Sequence, residues 1–222
     1  MQARSQRTYE RILAAATELL EQDGLPGLTT NAVAERAGVN IATLYSYFAD
    51  KTAILRELAT RFEQLRNDYF LGQLALFVAR DDWRAWVHET LRTVVDYRVQ
   101  EPGSFALRRA VASMPELADI DREISREAAR RGAPYLEARS PGLTRHHAEL
   151  IVMLASDTAT QMFDIACADG PPDPAHVDEI EAMLIAYLAL YLDPPRGIPA
   201  PNGPVAHRAA GPAAPTASAA DS

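Results

Sequence analysis

With 222 residues the chain can bury a sizeable core, as one domain or as a small one beside a larger one. Its net charge of −8 is unevenly placed: residues 1–66 carry eight Lys or Arg and eight Asp or Glu, whereas 67–222 carry 14 against 22. The first part is therefore the one compatible with a polyanion. A single cysteine, Cys167, excludes an intrachain disulfide and a multi-cysteine metal site and fits a reducing compartment. The start, MQARSQRTYE, lacks the apolar core of a signal peptide, and no run of about 18 apolar residues appears, so a cytoplasmic location is expected.

The pattern is helical throughout, without strand alternation, and predicts an all-α fold. In the first helix Arg4, Arg7 and Arg11 accompany a buried face of Tyr9, Ile12, Leu13, Ala16, Leu19 and Leu20, until Gly24-Leu25-Pro26-Gly27 ends it. Thr30 is the expected N-cap of a short helix with Val33, Ala34 and Ala37 on its apolar face, closed by Gly38. Asn40 caps the next helix, in which Ile41, Leu44 and Phe48 share a side. Its other face carries Ala42, Thr43, Tyr45 and Ser46, with Tyr47 on the flank. Merely solvated helices are usually rich in Lys and Glu; small side chains and hydroxyls suit a helix pressed into a DNA groove. An ordinary helical hairpin with two exposed tyrosines would show the same periodicity. Asp50 caps a fourth helix that Lys51 opens, which places an ammonium beside free backbone amides at a positive helix end.

The run AVAERAGVNIATLYSYFADKTAILREL, above all AGVNIATLYSYFADK with its LYxYF core and following lysine, resembles the DNA-binding domain of the tetracycline-repressor (TetR) family. RILAAATELLEQDGLPGLTT is similar to the family's opening helix, so the resemblance covers roughly residues 7–58. It implies an N-terminal three-helix helix-turn-helix (HTH) domain, residues 1–50, that binds a palindromic operator in double-stranded DNA. It also implies a helical effector-binding and dimerisation domain, residues 51–193, entered through a helix from Lys51 to about Asn67 with Leu55, Leu58, Phe62 and Leu65 as its stripe. Under that resemblance Thr30, Thr43, Tyr45, Tyr47 and Lys51 hold phosphates. Asn40, Ile41, Ala42, Thr43 and Ser46 approach base edges, with Ile41 and Ala42 offering only apolar contact.

Further helices follow. One after Asp81-Asp82 has Trp83, Trp86, Val87, Leu91, Val94 and Val95 inward; a shorter one covers Ser104 to Ser113. A charged helix runs from about Leu117 to Ala138, then apolar ones span Arg145–Ala168 and residues 173–192. The broad apolar face of the last (Val177, Ile180, Met183, Leu184, Tyr187, Leu188, Tyr191) and the apolar Leu150, Ile151, Leu154 and Ala155 suit a four-helix homodimer interface, as a reader of a palindrome needs. Asp157, Thr160, Gln161 and Asp164 share one face, which is either a set of hydrogen bonds between subunits or the polar wall of an effector pocket. In the second case Trp86, Tyr97, Phe105 and Arg109 are the aromatic and cationic counterparts of Asp157 and Gln161.

Adjacent His146 and His147 point to different helix faces and make no metal pair, and Arg130-Arg131 reads as solvated. No nucleophile motif or phosphate loop stands out, so no enzyme, cofactor or metal is expected. Residues 194–222, with seven prolines and nine alanines, are expected to be disordered. The resulting expectation is a homodimeric transcriptional repressor released by a small, mainly apolar effector. The alternatives are a constitutive or architectural DNA-binding dimer, and a helical enzyme or partner-binding module.

Overall fold

The computed structural model describes residues 2–168 and 170–193; the expected tail at 194–222 lies outside them. Among the described residues there are nine α-helices, a single 3-10 turn at Pro115–Leu117, and no strand. They are α1 (Gln2–Gly27), α2 (Thr30–Arg36), α3 (Ile41–Tyr45), α4 (Lys51–Ala79), α5 (Trp83–Gln100), α6 (Ser104–Ser113), α7 (Ala118–Arg139), α8 (Arg145–Ala166) and α9 (Pro174–Leu192).

Local chemistry sets most boundaries. Gly24 adopts φ +66° and breaks α1 before its last turn, a conformation costly for any residue with a Cβ. Asn40 and Asp50 cap α3 and α4, accepting from the amides of Thr43 (2.7 Å) and Ala53 (2.8 Å). The expected cap at Thr30 is displaced by one residue. Thr29, extended at φ −121°, accepts from Ala32 N at 3.1 Å, and Thr30 is already helical. A residue in the helix proper cannot aim its oxygen at the free amides, so the preceding threonine takes the role.

The fourth helix is much longer than expected. It does not stop near Asn67 but continues to Ala79, because Leu71, Leu74 and Phe77 extend the buried stripe begun by Ile54, Leu55 and Phe62. Leu65, expected in that stripe, is 58% exposed, and the polar Glu63 and Asn67 are buried instead.

Two hydrophobic clusters result. The first joins α1, α2, α3 and the first half of α4 to α6, through Ala106, Leu107, Ala110 and Val111. The second joins the far half of α4 to α5, α7, α8 and α9. α4 thus runs through both, as a single rod of 29 residues.

Where the clusters meet, a buried ionic knot ties five helices together. Arg108 of α6 is 5% exposed and pairs with Glu63 of α4 (2.9 Å), Asp121 of α7 (2.7 Å) and Asp164 of α8 (2.5 Å). Arg98 of α5 also reaches Asp164 (2.8 Å), and Arg66 closes on Glu63 (2.6 Å). Burial alone would drive the Arg108 guanidinium toward losing its proton, but its bonds to Asp121 and Asp164 and the charge of Glu63 outweigh that and hold it more firmly protonated.

On α8 and α9 an apolar face stays uncovered. Leu150, Leu154, Ile165, Met183 and Leu190 are all exposed, whereas Leu184 and Tyr191 are turned into the chain's own core.

Candidate nucleic-acid interface and ligand cavities

α3 exposes the residues that its sequence pattern places outward. Ala42, Tyr45 and Ser46 are exposed, Thr43 is half-buried, and Leu44 and Phe48 are buried beneath. Ile41, expected on the buried side, is 37% exposed at the head of the helix. α3 has only five residues and begins at Ile41, so that residue projects past the core beside Asn40.

Several of these hydroxyls are already held. Tyr45 Oη and Thr30 Oγ1 are 3.2 Å apart and tie α3 to the start of α2. Tyr47 Oη meets Ser5 Oγ of α1 at 3.0 Å, and Ser46 donates to the Thr43 carbonyl at 2.7 Å. These bonds fix side-chain directions before any ligand arrives. Lys51, the only lysine in the chain, opens α4 and enters no ion pair among the described residues.

One positioning residue escaped the sequence reading. Arg11 donates to the carbonyls of Ala37 and Gly38 (3.0 Å for the second), so a guanidinium from α1 covers the free carbonyl end of α2. Gly38, at φ +62°, allows this approach: a Cβ there would stand 3.1 Å from the Arg11 Nη2 atom. The tight turn between α2 and α3 is thereby fastened to α1. α1 is in turn fastened to α4, where Arg61 pairs with Glu10 (2.7 Å) and Glu57 (2.8 Å) and lies 5.0 Å over the Tyr9 ring. The Arg61 hydrogen bond holds the Glu10 carboxyl below its ordinary range. At its other side α4 reaches α7 through Arg56, which pairs with Asp119 at 2.8 Å.

Of the six residues expected around an effector, four share one cleft and two stand elsewhere. Trp86 lines a mainly apolar cavity of about 140 Å³ between α4, α5, α7, α8 and α9, with Phe70, Leu74, Phe77, Val152 and Leu188 among its walls and Arg66, Asn67, Thr90 and Ser156 as polar points. Phe105, Arg109, Asp157 and Gln161 line a separate open cleft of about 810 Å³ between α6, α7 and α8. Tyr97 lines neither. It stacks on Phe62 at 5.4 Å, packed against the first core, and burial pushes its hydroxyl up to about 12 with help from the charges of Glu101 and Glu63. Residues 157, 160, 161 and 164 do share a helix face, but Trp86 is reached from the adjacent face of α8, through Ala155, Ala159 and Phe163.

Comparison with known proteins decides the family. The model of bacterial regulatory proteins of the tetR family matches residues 12–58, and that of the tetracyclin repressor-like C-terminal domain matches 82–188. The chain belongs to the TetR family. Among curated members, the tetracycline repressor protein class D of Escherichia coli is 31% identical over 93 residues, 40% of this chain and 40% of that protein. The class A repressor from transposon 1721 of Escherichia coli is 36% identical over 76 residues, or 34% of this chain and 33% of that protein. The matches to these repressors thus span well under half of their length. Solved TetR-family structures extend the likeness over the fold. A regulator from Streptomyces coelicolor shares 25% identity at a TM-score of 0.60, covering 84% of this chain and 99% of the other. One from Mesorhizobium loti shares 19% at 0.64, covering 86% and 97%. The multidrug binding protein EbrR, solved with imidazole, shares 19% at 0.54, covering 79% and 93%.

In this family frame α2 and α3 are the HTH. Among the described residues no cluster of His, Cys, Asp and Glu is arranged to hold a metal, and no helix is long and apolar enough to cross a membrane. His147 lies edge-on against the Tyr191 ring at 5.4 Å.

Proposed function

We propose that the protein is a cytoplasmic, homodimeric DNA-binding repressor that reads a palindromic operator and is released by a small, mainly apolar molecule. The observation that carries the reading is the outward face of α3: small and hydroxyl-bearing side chains on a helix whose turn is clamped by Arg11, with Lys51 six residues beyond its end. Asn40, Ile41, Ala42, Thr43 and Ser46 would approach base edges, and Thr30, Thr43, Tyr45, Tyr47 and Lys51 would hold phosphates. The head is neutral overall, so affinity comes from placed contacts doubled in a dimer, with half-sites about 34 Å apart or a multiple of that. The exposed apolar face of α8 and α9 supplies the pairing surface.

For the effector we assign the inner cavity beside Trp86. At about 140 Å³ it is the size of an engineered cavity that holds benzene, far below the roughly 300–1,000 Å³ of a drug-sized site. A larger metabolite must push its walls apart, and α4 is one wall. Because α4 also carries Lys51 and is tied to α1, that displacement changes how the two heads are held. An effector preferring the widened state lowers operator affinity by its differential affinity, which for a coupling of about 1–3 kcal/mol is roughly 5- to 150-fold.

The test is selection of a bound duplex from a random pool, followed by titration of Lys51→Ala and Ala42→Asp against it. Lys51→Ala should weaken all duplexes alike and reduce the salt slope by about one phosphate contact. Ala42→Asp should abolish specific binding. Both variants binding as wild type would overturn the assignment, and apolar ligands that bind but never alter operator affinity would favour the constitutive or architectural dimer.

A further inference from the structure

The open cleft between α6, α7 and α8 is not needed for the effector reading above. It holds about 810 Å³, within the usual range for small-molecule sites without any rearrangement. Much of its wall is apolar, through Phe105, Met114 and Ile165 among others. Its charges are four guanidiniums (Arg98, Arg108, Arg109, Arg122) against three carboxylates (Asp121, Asp157, Asp164).

Two of those carboxylates are already consumed, since Asp121 and Asp164 are bound to Arg108. That leaves Asp157 facing Arg109 and Arg122, neither of which forms an ion pair among the described residues. Arg109 donates to the Ala168 carbonyl at 3.0 Å, and Arg122 feels Asp119 only at longer range. Among the described residues the cleft is therefore short of negative charge.

Its floor also carries hydrogen-bonding groups that the protein leaves unused. Among the described residues, Thr160, 3% exposed, has no partner for its Oγ1, and Arg98, also 3% exposed, has none for its Nε. A buried hydroxyl or N–H without a partner is a cost to the fold, and such groups are few in native structures. Both line this cleft, with an apolar wall and two exposed guanidiniums around them.

We propose that this cleft is a second small-molecule site, one that takes an organic anion with an apolar body. The anionic head would sit between Arg109 and Arg122 or reach down to Arg98 and Thr160, and the apolar body would lie against Phe105 and Met114. Arg98 and Arg108 also hold the carboxylates of α4, α7 and α8, so an anion bound here competes with the protein's own groups for the same donors.

The experiment compares two probes of similar shape at 0.15 M salt on the full chain: 8-anilino-1-naphthalenesulfonate, an anion, and N-phenyl-1-naphthylamine, which is neutral. Fluorescence titration gives an affinity for each, in wild type and in Arg109→Gln/Arg122→Gln. Both arginines are exposed and, among the described residues, outside any ion pair, so their loss leaves no described buried charge unpaired. The sulfonate should weaken at least fivefold in the double variant while the neutral probe stays within twofold. Thr160→Val should also weaken the sulfonate and spare the neutral probe. A sulfonate affinity that falls less than fivefold in the double variant, or a neutral probe that falls in parallel, overturns the proposal. Either result leaves the inner-cavity effector reading standing, because its apolar walls contain neither arginine.

Discussion

Replacing Arg108 by methionine tests how much the ionic knot contributes. The guanidinium is 5% exposed and serves three carboxylates, of which Glu63 is wholly buried. Methionine occupies comparable volume but offers no donor, so Glu63, Asp121 and Asp164 are left with only Arg66 and Arg98 between them. Removing one partner of a buried ion pair costs about 3–5 kcal/mol, because the remaining charge stays out of water uncompensated. A domain's whole stability is about 5–15 kcal/mol, so this is a large share of it. For a chain of this size about 2–4 °C of melting temperature accompanies each kcal/mol, which predicts a fall of roughly 6–20 °C. Differential scanning calorimetry with urea denaturation measures it. Adding Glu63→Leu to the variant should recover part of the loss, since an apolar pair tolerates burial where a lone carboxylate does not. A melting temperature within about 2 °C of wild type would refute the reasoning. It would mean that the carboxylates regain water through the outer cleft, where Asp121 and Asp164 are partly exposed.

Thr29→Ala should cost about 1 kcal/mol by urea denaturation and Thr30→Ala less, because Thr29 is the cap; the reverse order would return that role to Thr30. Leu154→Glu or Met183→Glu should yield monomers by light scattering with weakened operator binding, and variants that stay dimeric would move the interface elsewhere. Burial pushes the Cys167 thiol up, against the opposing influence of Arg98, so at pH 8 it should react with iodoacetamide more slowly than the same thiol in urea. Equal rates in the two conditions would contradict its burial. Tyr9, Tyr97 and Tyr187 are raised to about 12, by burial first, from an ordinary value of 10. Their contribution is complete below pH 10 and is lost as pH rises toward 12, because the unfolded chain releases those protons first. The melting temperature should therefore drop across that window, and a flat profile would count against the raised values.

What could be read from the sequence was what is local in the chain. Asn40 and Asp50 cap the helices they precede, and Leu44 and Phe48 bury on the expected side, because each depends on neighbours three or four positions away. The full length of α4 was not legible, because the polar Asn67 and Asp68 interrupt its apolar stripe. In the fold Asn67 is buried at the inner cavity and the stripe resumes at Leu71. Partners far apart in the chain were out of reach. Arg11 meets Gly38 across 27 positions and Arg108 meets Glu63 across 45, and neither arginine differs in pattern from those on solvated helices. The expected effector set is divided for a related reason: one helix, α8, presents neighbouring faces to two different cavities, so Trp86 borders one and Phe105, Arg109, Asp157 and Gln161 the other, and periodicity alone does not say which space each face borders.

Having a single lysine, at the head of α4, has a practical corollary for anyone handling this protein. Succinimidyl dyes, biotin esters and amine-coupled sensor surfaces are all attacked by neutral amines, and the one lysine side chain that can supply such an amine stands at the head of α4, with the α-amino group, of lower pKa, as its competitor. Protein attached to a chip in this way would present its DNA-facing end to the matrix and register falsely weak operator binding. Anchoring the duplex and flowing the protein avoids the artefact.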